Sequence, residues 1–147
     1  MSDALIVAAL ETRLFTVPGL PDASHRALEN TSYEPTVGEA WIRVTHRWGN
    51  ERLRTLPASG GRVWRFGFMQ VDLFVPLVPA TGGAGALTTL AQAVKDVFPA
   101  GAPLAVGGTV TDFYLRESRR WGGQRDRTWW SDHVDVRWDC VVTNPTF

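Results

Sequence analysis

Apolar residues recur along this chain in two rhythms, and the places where one gives way to the other mark out its elements. Ile6, Leu10 and Leu14, with Val7 one turn back, fall at helical spacing, so residues 3–15 are expected to form a helix with one apolar stripe. Ser2 is placed to cap its start through a side-chain oxygen, and Pro18, Gly19 and Pro21 end it. The irregular stretch up to Gly38 reads as a long connection holding at most one short strand. Trp41, Ile42, Val44 and Thr45 are aromatic or β-branched and predict a strand to about Arg47, followed by a mobile loop over 48–61.

Between Val63 and Val75 the rhythm is two. Met69, Val71, Leu73 and Val75 share one face and Gln70 and Asp72 the other, which fixes the side that meets the core. Phe66 and Phe68 add aromatic bulk to the second face, so part of it should be covered as well, with a neighbouring subunit as the candidate. After a flexible turn at 81–85, Leu87, Leu90, Val94 and Val97 or Phe98 return to helical spacing, until Pro99, Gly101 and Pro103 stop this second helix. Residues 109–115 are β-rich without clean alternation, and 118–128, centred on Gly122 and Gly123, read as a basic hairpin tip. In the closing strand Trp130, Val134, Val136, Trp138, Cys140 and Val142 point one way, while Ser131, His133, Asp135, Arg137 and Asp139 point the other. Asp132 is the polar exception on the apolar side. The order helix, strand, strand, helix, strand, strand predicts an α+β fold. It is a two-layer sandwich, a four-stranded, mostly antiparallel sheet with two helices on one face, in a single domain over 1–147.

Length and charge narrow the function classes. A chain of 147 residues can bury roughly 70% of its unfolded surface and needs neither metal nor disulfide to fold. The single Cys140 rules out an intramolecular disulfide framework, and no apolar run approaches the ~18 residues of a membrane span. The N-terminal stretch lacks the basic flank of a signal peptide, so a soluble protein is expected. A net charge of zero argues against a general nucleic-acid binder, which needs a basic face to neutralise phosphate. The balance is uneven, however. Residues 1–42 hold two Arg against six carboxylates, whereas Arg43, Arg47, Arg52, Arg54, Arg62 and Arg65 face only Glu51. Arg116, Arg119, Arg120, Arg125 and Arg127 face only Glu117 and Asp126. Arg favours bidentate contacts across an interface, although a compositional bias toward Arg would produce the same count.

Candidate chemistry is sparse. The Gly82-Gly83-Ala84-Gly85 turn opens a helix but lacks the Lys-Ser/Thr pair of a phosphate loop and the third Gly of a dinucleotide fingerprint. His133 lies two residues from Asp135 on a polar strand face, where a proton-transfer pair competes with an ordinary solvated strand. His25 and His46 bring no further ligands, and Cys140, in phase with Trp138 and Val142, reads as a small core residue. No enzyme activity, metal or cofactor is expected. Trp121, Trp129 and Trp130 interleaved with Arg have the ingredients to stack nucleic-acid bases, but Trp and Arg also anchor protein contacts, and neutrality favours the interface.

The segments Ala9-Leu10-Glu11-Thr12-Arg13-Leu14, Trp41-Ile42-Arg43-Val44 and Phe68-Met69-Gln70-Val71-Asp72-Leu73-Phe74-Val75-Pro76, with Phe98-Pro99 and the closing strand, resemble the tail-terminator (tail-terminator-like) proteins of long non-contractile-tailed bacteriophages. The likeness spans nearly the whole chain, and the Arg-rich hairpin is longer than the family leads one to expect. The resemblance implies a structural virion protein, assembled in the host cytoplasm, that forms a homo-hexameric ring on the head-proximal end of the tail tube. Such a ring stops tube polymerisation and offers a surface for head-tail joining to a connector or stopper protein, with genomic DNA passing through its lumen without specific binding. Within that frame the loops 48–61 and 116–128 are expected to make axial or lumenal contacts through Arg52, Arg54, Arg116, Arg119, Arg120, Trp121, Arg125 and Arg127. Phe66 and Phe68 are expected between subunits. Another neck or connector protein of the virion, or a small nucleic-acid-binding module, is the alternative.

Overall fold

The structure is a computed structural model that describes residues 2–29, 31–49, 52–53, 61–77 and 83–143. Helix α1 (Ser2–Leu14) buries Ile6, Leu10 and Leu14 completely, and α2 (Ala84–Val97) buries Leu87, Leu90, Ala91 and Val94. Gly83, at φ 95°, supplies the left-handed turn that opens α2, and the Phe98 amide closes it on the Lys95 carbonyl. Phe98 itself is fully buried, which settles the last position of the apolar stripe.

Among the described residues seven strands form one sheet: β1 (Arg26–Ala27), β2 (Trp41–Trp48), β3 (Arg52–Leu53), β4 (Arg62–Pro76), β5 (Val110–Arg120), β6 (Gln124–Arg125) and β7 (Trp129–Thr143). Their order is β1-β2-β4-β7-β5, with β3 beside β4 and β6 beside β7. The four expected strands are therefore β2, β4, β7 and β5, all antiparallel to their neighbours. Three two-residue strands extend them, and β1 runs parallel to β2, so the sheet is mixed and larger than expected. The α+β class stands. Both helices lie on one face, where their stripes meet Ile42, Val44, Met69, Val71, Leu73, Val134, Val136 and Trp138 in one core. Glu11 of α1 reaches His46 of β2 at 3.2 Å, and Asp3 pairs with Arg65 of β4.

Two boundaries differ from expectation. The weak alternation of 109–115 comes from register shifts between Thr111 and Tyr114 and between Leu115 and Glu117, with Asp112 at φ 50°. The irregular strand nevertheless continues to Arg120. Arg116, Arg119 and Arg120 thus stand on β5 and outside the hairpin loop, whose tip shrinks to 121–128. Within the expected loop 48–61, Trp48 belongs to β2 and Arg52–Leu53 pair with Trp64 and Val63. The rest of that loop, at 50–51 and 54–60, lies outside the described residues, as do 81 and 82 of the expected flexible turn.

Both outer strands have part of their backbone occupied. On the β2 side the Glu29 carboxylate accepts from the His46 amide at 2.7 Å, beyond the reach of β1. On the β5 side the amides of Gly101 and Leu104 donate to the carbonyls of Leu115 and Phe113, and the Leu115 amide donates to Ala102.

A candidate interaction surface on the helix-free face

Alternation sends every second residue of β2, β4, β7 and β5 to the face that carries no helix. At one end Trp41 stacks on Phe74 at 4.0 Å, with Tyr33 and Trp129 against the same indole at 5.4 and 6.2 Å. In the next row Asp72 takes one hydrogen bond from Arg43 Nε at 2.9 Å and another from Gln70 Nε2 at 2.8 Å. These residues, with Phe74 and His133, line a cleft of about 280 Å³. Further along, Phe68 lies under the Arg137 guanidinium, and Phe66 packs on Trp64 at 5.0 Å. The Phe66 ring occupies the space of a side chain at Gly49, where a Cβ would sit 2.1 Å from it. A second cleft of about 330 Å³ runs past Trp64, Phe66, Phe68 and Trp138.

The other predicted site residues divide into distinct settings. Arg116 makes two 2.8 Å hydrogen bonds to the Asp139 carboxylate, which raises the guanidinium's already high pKa, and it sits over Tyr114. Arg120 turns toward α2, pairing with the fully buried Asp132 and reaching the Thr88 hydroxyl at 3.3 Å. That ion pair explains the polar residue on the apolar side of β7. Arg119 lies 4.2 Å over the Trp121 ring, which also stacks on His133 at 5.5 Å. Trp121 donates from Nε1 to Asp135 at 2.7 Å, which leaves Asp135 buried where a solvated strand residue was expected. Arg125 sits over Trp130 at 5.8 Å, and Arg127 is exposed. Arg52 belongs to β3, and Arg54 lies outside the described residues.

Sequence reasoning missed the Trp41, Arg43, Asp72 and Phe74 cluster. Its signal was available: Trp41 and Arg43 share a parity in β2, as Asp72 and Phe74 do in β4, but the pairing of the two strands was needed to bring them together. Among the described residues no three His, Cys, Asp or Glu side chains converge as a metal set. No described helix is long and apolar enough to cross a membrane. Burial pushes the Cys140 thiol up to about 12, so it is held as a neutral core group.

A two-layer α+β domain whose sheet keeps one face free of helices, furnished with aromatic rings and Arg-carboxylate pairs, is of a class that presents a broad sheet surface. The sequence model of the phage tail terminator protein family matches residues 5–138, and the chain belongs to that family. It is thus a structural protein of the phage virion tail that works with other tail components. No curated protein matches the chain. Ten chains of solved structures match it. One of them, 21% identical, covers 100% of this chain and 99% of its own length at a TM-score of 0.67.

Proposed function

We propose that this protein is a non-enzymatic terminator of a long non-contractile tail, forming a hexameric ring that caps the head-proximal end of the tail tube. The observation that carries this reading is the family match over nearly the whole chain. The ring stops tube polymerisation and gives the head connector or stopper protein a surface to join, while DNA passes through its lumen. Zero net charge suits a lumen that must not grip phosphate. Each side-to-side contact of a stable ring buries about 1,200–2,000 Å² in total. Half-buried Phe66 and Phe68 on the helix-free face supply aromatic area for contact between subunits.

Electron microscopy of the purified chain mixed with tail tubes tests this. The expected result is a ring at one end of each tube, which then stops growing. Tubes that lengthen unchecked, or rings bound along their sides, overturn it.

A further inference from the structure

The segment beside β1 is acidic and the tip beyond β5 is basic, with Arg47 on β2 and Glu117 on β5 as exposed exceptions of opposite sign. On the β1 side, residues 22–39 carry Asp22, Glu29, Glu34 and Glu39 against Arg26. Glu34 and Glu39 are exposed there, with the apolar Val37 beside them at 81% exposure. On the opposite, β5 side, Arg116 and Arg120 are committed to Asp139 and Asp132. Arg119, Arg125 and Arg127 are exposed and have no carboxylate partner among the described residues. The neighbouring Asp126 carboxylate is occupied by the amides of Thr128 and Trp129 at 2.7 Å each. Trp121, 48% exposed, gives this edge its own apolar element.

The two edges also stand at one level along the strands. A single row crosses the sheet through Trp41, Phe74, Ser131 and Gln124, each paired with the next. Tyr33 of the acidic segment lies against Trp41 at 5.4 Å and Glu39 is two residues before it in sequence, while Arg125 of the basic tip directly follows Gln124 at the other end of the row.

Resting on the ring proposed above, we infer that the ring contact joins these edges, the acidic 31–39 segment of one copy seating against the basic 119–127 tip of the next. The occupant of each edge is a second copy of this chain, selected by charge complementarity. Opposite charges on opposite edges make the contact head-to-tail, since two like edges repel. Patches at equal height meet by rotation about an axis parallel to the strands, without a shift along it. Such an operation closes a ring and does not wind a filament. The charged edges give the contact its direction.

Charge reversal in the full chain tests the pairing, read by sedimentation and native mass spectrometry with thermal melting as the check on folding. Glu34→Arg with Glu39→Arg makes both edges basic, and Arg125→Glu with Arg127→Glu makes both acidic. Each variant alone should sediment as a single subunit, while an equimolar mixture should regain the wild-type ring with both variants in a 1:1 ratio. Because His25 contacts Glu39 at 2.6 Å, Glu34→Arg alone replaces the acidic-edge pair if the double variant melts early. Ring-sized species from either variant alone, or a mixture that stays dispersed, overturn the inference and leave the ring itself standing. A wild-type chain that remains a single subunit even with tail tubes overturns the ring and the inference together.

Discussion

Trp138 fills the space that a side chain at Gly67 would need. The two are direct partners across β4 and β7, and a Cβ at Gly67 would lie 2.8 Å from indole Cζ2 and 2.5 Å from the Arg47 carbonyl oxygen. The ring continues into a stack with Phe113 at 5.1 Å and an edge contact with Trp48 at 5.6 Å. Gly67→Ala forces both the ring and the β2 backbone to move. A loss of about 1–3 kcal/mol in urea unfolding is expected, and an unchanged midpoint would refute the close approach.

Truncating the other partner should cost more. Trp138→Ala removes a 2% exposed indole from the core and leaves a cavity bounded by Phe113, Trp48 and Gly67. About 3–5 kcal/mol is expected, measured against wild type in the same denaturant series.

Arg120 and Asp132 predict an asymmetry. The Asp132 side chain is 0% exposed, whereas that of Arg120 is 29% exposed. Arg120→Met strands a buried carboxylate and should destabilise by about 3 kcal/mol or more. Asp132→Asn leaves a partly hydrated guanidinium and should cost about 1 kcal/mol. Equal losses in the two unfolding curves would place the pair in solvent. Arg119→Ala and Arg125→Ala, by contrast, should leave stability unchanged and act only on assembly or head joining, as an infectivity assay would register.

The thiol of Cys140 gives a pH signature. Its pKa is raised from 9.0 to about 12 by burial, so the unfolded chain releases this proton first as pH rises. The stability tied to the neutral thiol is complete below pH 9 and is lost between about 9 and 12. Urea midpoints should fall less steeply across that window in Cys140→Ala than in wild type. The native thiol should resist iodoacetamide at pH 8, and rapid labelling would show that the core opens there.

Asp126 has the opposite sign. Backbone hydrogen bonds from Thr128 and Trp129 hold its carboxyl below 3.8, so the turn they define persists as acid is added and loosens only beneath that value. Amide resonances of Thr128 and Trp129 should titrate together there, and a midpoint at or above 3.8 would mean the turn is absent in solution.

The core was legible because its periods are clean. Met69, Val71 and Leu73, and Val134, Val136 and Trp138, sit on the side that alternation assigned them, and the stripes of both helices meet them. What escaped the sequence depends on partners distant in the chain. The two-residue strands are too short to carry a period, and the register shifts in β5 hid the continuation of that strand to Arg120. A row of Arg looks uniform in sequence. Only the fold separates Arg120, turned inward to Asp132, from Arg125 and Arg127 at the exposed tip.

The Glu29 carboxylate on the His46 amide and the 101–104 segment along β5 have a further consequence. Each takes up main-chain hydrogen-bonding groups that a foreign strand would use to splice itself onto the sheet. Copies of the chain can therefore meet through side chains while being guarded against open-ended cross-β stacking.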